Sequence, residues 1–282
     1  MIDLIIPIYN AQNTLDFTLM SIKMQTIIDK ITVYLIDDCS EDNYEEILNN
    51  HKDMNIIYKR LDKNSGPAVA RQEGINISAN DYIMFIDADD LFYDTDSVKK
   101  LLNAIKDDYD YAVGITIEEK RQIEIMNESD LHGKIYRRKF IEEKIIKFNN
   151  TSFHEDNYFN NLVLISEPRI KEILEKVYIY VDNDKSITNS QKEKEFERLE
   201  IYISNLKELI EEAKKRKIKR EIVISLLVKK IKYFNNINKS FTNKQKKTFE
   251  RWLKKYNLNL EKYIKNTNYK TLYDEMFNEY LY

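Results

Sequence analysis

Short apolar runs alternate with helically spaced apolar residues over about the first two thirds of the chain. Leu4-Ile5-Ile6 is continuous, as in a strand buried on both faces. Leu15, Leu19 and Ile22 then fall on one side of a helix for which Asn13 or Thr14 is the N-cap. Residues 31–36, 55–59 and 82–86 predict three more strands, and Pro67 suits the first turn of a helix ending near Ser78. Strands and helices alternating at this spacing predict an α/β fold, a mostly parallel sheet with helices on both faces. Ligands of such sheets bind beyond the carboxyl ends of the strands.

From about Gln191 the strand pattern stops. Residues 193–217, 220–234, 244–256 and 258–276 read as helices, with no Gly or Pro between them. Two domains are expected, a sheet domain over 1–190 and a helical C-terminal extension over 191–282. Charge divides at the same place. The formal balance is −13 for 1–190 and +10 for 191–282, so a near-neutral whole joins an acidic front to a basic back. The basic helices suggest docking of something anionic: a membrane surface, a wall polymer or nucleic acid. Lysine-rich codon drift gives a solvated helical face of the same charge.

Composition narrows the classes. With 282 residues and 43% hydrophobic content the chain has enough material for a core. A single cysteine, Cys39, excludes an internal disulfide and a multi-thiolate metal site. No apolar run approaches the ~20 residues of a membrane span, and Met1-Ile2-Asp3-Leu4 has no basic region of a signal peptide. The expectation is a cytoplasmic protein, with peripheral contact at the inner membrane surface left open. The excess of Lys, Asn, Ile and Tyr suggests an AT-rich bacterial or phage genome.

The chemistry gathers at strand ends. The first strand runs into Pro7-Ile8-Tyr9-Asn10, the second into Asp37-Asp38-Cys39-Ser40. The third is followed by Asn64-Ser65-Gly66-Pro67-Ala68-Val69-Ala70-Arg71, the fourth by Asp87-Ala88-Asp89-Asp90. Acids after strands also serve as turn formers and helix caps, but four such ends in order are poorly explained by chance. Asp87, Asp89 and Asp90 on one turn repel one another, which a cation offsets. Hard oxygen donors favour Mg²⁺ or Mn²⁺ shared with ligand phosphates. Arg71 is either a fixed charge for that diphosphate or half of a surface salt bridge.

This ordered set resembles the family 2 glycosyltransferases, over roughly the first 190 residues. The resemblance implies a GT-A type, Rossmann-like domain, a UDP-sugar donor, a divalent metal and inversion at the anomeric carbon. It implies that Pro7 and Tyr9 line the base and ribose pocket and that Asp38 pairs with the uracil ring. Arg71 then lies near the diphosphate. Asp87 and Asp89 match the Asp-x-Asp motif, with Asp89 on the metal, and Asp90 shares the metal or holds the ribose or sugar. Glu155-Asp156 resembles the family's acidic pair, in which Asp156 deprotonates the acceptor hydroxyl. Ser152 and Glu155 also have capping-box spacing, which makes Glu155 a helix cap. His154 is left out of the ligand set.

His132-Gly133-Lys134-Ile135-Tyr136 departs from a family segment in which an aromatic residue precedes Lys-Leu-Tyr. The departure puts stacking on the sugar in question. Lys134 is placed at donor phosphate or, on the plainer reading, in solvent. A Tyr-rich closing strand from Tyr178 to Thr188 carries Val181 where a basic residue is usual. The resulting expectation is an inverting transferase of glucose, galactose or N-acetylglucosamine. Its acceptor is a cell-surface glycan or wall polymer or, if phage-encoded, a modified nucleic acid base. The alternatives are a sugar-nucleotide-binding protein that has lost catalysis and a nucleotidyltransferase on a similar sheet. The latter lacks its Gly-rich basic loop at residues 8–15.

Overall fold

The computed structural model describes residues 1–126, 130–151, 154–182, 195–219, 222–223 and 242–255. The chain divides into two units, Met1–Glu193 and Lys194–Tyr282. The boundary expected after residue 190 lies outside the described residues, as do most of the helix expected at 220–234 and all of that at 258–276.

The first unit opens with β1 (Ile2–Ile8), α1 (Leu15–Lys23), β2 (Ile31–Asp37), α2 (Glu45–Asn50), β3 (Ile56–Arg60), α3 (Pro67–Ile77) and β4 (Tyr82–Phe85). β5 (Leu91–Phe92), α4 (Ser97–Ile105), β6 (Tyr111–Glu118), β7 (Ile123–Ile125), β8 (Lys134–Arg137), α5 (Arg138–Glu143), α6 (Glu155–Ile165) and β9 (Ile170–Tyr180) follow. Nine strands form one sheet in the order β3-β2-β1-β4-β8-β6-β9-β5, with β7 on β6. β1 lies parallel between β2 and β4, Leu4 opposite Val33 and Met84. Burial on both faces is why β1 and β2 read as unbroken apolar runs.

Parallel pairing holds across β3-β2-β1-β4 and again between β6 and β9. β8 is antiparallel to both β4 and β6, and β5 is antiparallel to β9. α3 lies against β1 at Gly74, where a Cβ would collide with the Ile5 side chain. Val98, Leu101 and Ile105 are the buried side of α4, which packs over β6, β8 and β9.

One buried ion pair ties the two kinds of pairing together at the amino ends of the strands. Asp3 of β1 is fully buried and accepts from Arg138 Nη2 at 2.7 Å, Asn80 N at 2.6 Å and Asn80 Nδ2 at 2.7 Å. In the second unit α7 (Glu195–Lys215) buries Leu199, Tyr202, Ile203, Leu206, Leu209 and Ile210 at helical spacing. α8 (Asn243–Lys255) is strongly basic, and its Lys255 reaches Glu200 of α7 at 2.8 Å. Among the described residues no helix is long and apolar enough to cross a membrane.

Candidate active site

The polar residues at the carboxyl ends of β1 and β2 first serve one another. Asn10, at φ 50°, accepts from Glu41 N at 2.8 Å, and its own N–H donates to Ser40 Oγ at 3.0 Å. Asp37, fully buried, accepts from Ser40 N at 2.8 Å, Tyr58 OH at 2.6 Å and Arg60 Nη1 at 3.0 Å. For these residues the turn-forming role holds. Asp38 is also buried, and its two oxygens accept from Ser65 N and Gly66 N, each at 2.7 Å. It braces the loop that enters α3 through Gly66, whose φ of 89° suits glycine. Pro7 is half-buried beside this loop pair, and Tyr9 is 48% exposed.

Arg71 pairs with two carboxylates of the chain itself. It is buried, with Nη1 on Glu155 Oε1 at 2.6 Å and Nη2 on Asp87 Oδ1 at 2.6 Å. Among the described residues its buried Nε has no partner. Against the desolvation of burial, the two carboxylates raise the already high pKa of the guanidinium.

This corrects the reading of Glu155 as a cap. α6 begins at Glu155 itself, after His154 in the left-handed region at φ 60°, so Glu155 occupies the first helical position and not the third. The Ser152 half of the expected capping box lies outside the described residues. Asp156, next along, is half-buried, and its Oδ1 accepts from Asn157 N at 2.6 Å.

The Asp87–Asp90 turn is held from β9. Asp90 is fully buried and accepts from Tyr178 OH at 2.6 Å and Val181 N at 2.8 Å. It is thereby fixed as an anchor of the turn. His132 lies over Tyr178 (4.9 Å between centroids, 12° between planes) and Tyr180 (5.4 Å, 28°). Its Nε2 is 3.5 Å from Asp87 Oδ2 and 3.8 Å from Asp90 Oδ2. The position where the family carries an aromatic residue is thus filled by an imidazole that stacks on the chain's own tyrosines. Lys134 corrects the solvent-facing reading: it is 1% exposed and donates to Asp130 O at 2.5 Å and Asn160 Oδ1 at 3.3 Å.

These environments push neighbouring groups apart. Burial raises the Asp87 carboxyl, but Arg71 and His132 outweigh it and hold the group well below the carboxylate range. Burial carries Asp90 up to about 7, with Asp87 and Asp89 adding to it and His132 opposing. Glu155 is likewise pushed up to about 7 by burial, against the pull of Arg71. His132 loses basicity through burial and regains more from Asp87 and Asp90, ending at about 9. Carboxyl groups split in this way mark sites where protons and charges are managed. One ligand atom each from Asp87, Asp90 and His132 lies within 4.8 Å of the others, while Asp89 is half-buried on the same turn.

A mixed sheet with acids crowded beyond its parallel strands places a ligand site at the carboxyl ends of those strands. The family model for glycosyl transferase family 2 matches residues 3–160, and the chain belongs to that family. Over 217 residues it is 30% identical to the minor teichoic acid biosynthesis protein GgaA of Bacillus subtilis, covering 64% of this chain and 47% of that protein. Over 116 residues it is 34% identical to the poly(ribitol-phosphate) beta-N-acetylglucosaminyltransferase TarP of Staphylococcus aureus, covering 39% of this chain and 32% of that protein. The chain therefore spans less than half the length of these curated relatives. The structure of S. aureus TarS 1–349 in complex with UDP-GlcNAc aligns with a TM-score of 0.73 at 16% identity, covering 90% of this chain and 80% of that one. The likeness is one of fold, the GT-A glycosyltransferase fold.

Proposed function

We infer that the chain transfers a hexose from a UDP-sugar to a hydroxyl of a phosphate-rich wall polymer, by single displacement with inversion. One observation carries this reading. The start of α6, with Asp156, is brought against the Asp87–Asp90 turn by a shared arginine, which joins a base to a donor-side acid cluster. Asp156 takes the proton of the acceptor hydroxyl as it attacks. Tyr9 and Pro7 line the nucleoside pocket, and Asp38 shapes it by holding the Ser65–Gly66 loop.

The residues present fit Mn²⁺ or Mg²⁺ through their oxygens, since Asp87 and Asp90 bring carboxylate atoms within 4.8 Å of each other and Asp89 lies on the same turn. Asp89, with Asp87 beside it, is the assigned holder, and the ion when bound neutralises charge on the departing diphosphate. His132 and Arg71 limit repulsion within the turn until then.

The polymer is suggested by two things, the names of GgaA and TarP and the charge of the second unit. Lys244, Lys247, Arg251 and Lys254, with Glu250, line an open hollow of about 370 Å³ on α8. UDP-GlcNAc, UDP-glucose and UDP-galactose should be incubated in turn with Mn²⁺ and poly(ribitol phosphate), and UDP release followed. One donor is expected to give polymer-dependent release that chelator abolishes. Release indifferent to chelator sinks the metal assignment, and release indifferent to polymer sinks the acceptor.

A further inference from the structure

We propose that Arg71 and Glu155 are positioning residues, a strut that aims the base Asp156 at the donor side of the cleft. The proposal rests on Asp156 being the base. Arg71 of α3 reaches Asp87, 16 residues on, and Glu155, 84 residues on, through separate nitrogens at 2.6 Å each. A guanidinium is a rigid planar fork, so the two carboxylates it holds are set at one separation, which the flexible point charge of lysine does not do. Both side chains of the Glu155 end are enclosed, at 7% and 9% exposure, so water does not compete for the contact.

Glu155 and Asp156 are the first two residues of α6. Successive helical side chains diverge by about 100° around the axis. Pinning Glu155 inward therefore fixes the rotation of the first turn and with it the direction of Asp156. Lower on the same helix, Asn160 Oδ1 accepts from Tyr136 OH at 2.6 Å, which anchors α6 to β8 independently. Loss of the strut frees the first turn and leaves the helix attached. Misplacing a catalytic group by ~1 Å costs ~10²-fold in rate.

The test is a double-mutant cycle on turnover of UDP-GlcNAc, followed as UDP release to poly(ribitol phosphate) or to water, with UDP affinity measured alongside by calorimetry. Glu155→Gln is expected to lower kcat by ~10²-fold while UDP affinity holds. On the Asp156→Asn background the same change should cost less than about twofold, because there is no base left to aim. Arg71→Lys, which keeps the charge and gives up the fork, should fall in the same direction and show the same loss of effect. The strut is overturned if Glu155→Gln leaves kcat unchanged, multiplies undiminished on Asp156→Asn, or weakens UDP binding in step with kcat. Wild-type turnover by Asp156→Asn overturns the base assignment instead, which is a separate reading of the same four proteins. If Glu155→Gln fails to fold, shown by loss of a cooperative thermal melt, Glu155→Asp, shorter by one methylene and still charged, takes its place in the cycle with the same criteria.

Discussion

Two buried arginines occupy opposite ends of the same strands and differ in what surrounds them. Arg138, at the amino ends, meets one buried carboxylate, Asp3, and an exposed one, Glu142 at 3.6 Å, and donates to Asn80 O, Ile75 O and Ser78 Oγ. Arg71, at the carboxyl ends, meets two carboxylates, and among the described residues its Nε has no partner. Every nitrogen of the Arg138 guanidinium is thus partnered, and one buried carboxylate faces one buried cation. The Arg71 cluster carries excess negative charge, with Asp89, Asp90 and Asp156 close by in sequence and one imidazole to offset them. Departures from local satisfaction concentrate where chemistry is done. The contrast teaches that a buried arginine is read from the charges left over around it.

The sharpest way to break the comparison is at Asp156. Asn keeps the shape of the side chain and removes the basic lone pair, so transfer should fall by ~10²–10⁴. The melting temperature and UDP affinity should hold, because Asp156 carries no part of the Arg71 bridge. Steady-state kinetics with a thermal melt on the same sample decide it. A variant that loses stability along with rate would place Asp156 with the structural acids.

Arg138 should behave in the opposite way. Arg138→Met leaves Asp3 charged in a closed site, and breaking a buried pair from one side costs ~3–5 kcal/mol. A urea titration should show that loss as an earlier midpoint with unchanged slope. Turnover per folded molecule should match the wild type, and a drop in kcat there would mean that the amino-end pair reaches the site.

The contrast between these ends was only partly legible in the sequence. The parallel strands and their acidic ends are readable because continuous apolar runs and polar turns signal them directly. Bounds differ by a residue or two, as at β2, which continues through Asp37. β5 and β7, two and three residues long, are too short to show a period, and the antiparallel insertion of β8 depends on partners far along the chain. Asp3 gives no hint of burial, since its partner lies 135 residues away.

In the candidate site, Asp87, Asp89 and Asp90 stand out as a crowded acidic turn, and Asp156 is proposed through the family resemblance of the Glu155-Asp156 pair. Glu155 was misread because its helix starts two residues later than a capping box requires. His132 and Tyr178 were seen as segments without a role, although a histidine at the family's aromatic position was the available signal.

His132 offers a finer probe of the unbalanced end. Its pKa rises from 6.5 to about 9 in the folded protein, so its charge stabilises the fold in full below pH 6.5 and that contribution is lost as pH climbs through 9. Asp90 and Glu155, raised to about 7, give up their contributions between roughly pH 4 and 7, below that window. In chelator, the wild-type melting temperature should therefore decline from pH 7.5 to 9.5, and His132→Asn should start lower and decline less. Parallel curves would show that the imidazole does not offset the acids.

The smallest effect belongs to the second unit, where charge lies at the surface and salt screens it. Lys247→Glu with Lys254→Glu reverses two of the cations around the α8 hollow. The apparent KM for poly(ribitol phosphate) should rise by roughly 3–10-fold at low salt and by less at high salt, with kcat and UDP affinity unchanged. Reversal at Lys214, Lys215 and Lys217 is the control, since Lys215 lies 3.4 Å from Glu212, which Arg216 also holds at 2.9 Å. Glu208, Glu211 and Glu212 precede the α7 lysines, whereas Glu250 is the one acid among the residues lining the α8 hollow, so the α7 set should matter less than the α8 set. Equal effects from the two sets would mean that the polymer feels the net charge of the unit. No effect from either would leave acceptor recognition to the first unit, whose cleft then has to supply the attraction against its own acids.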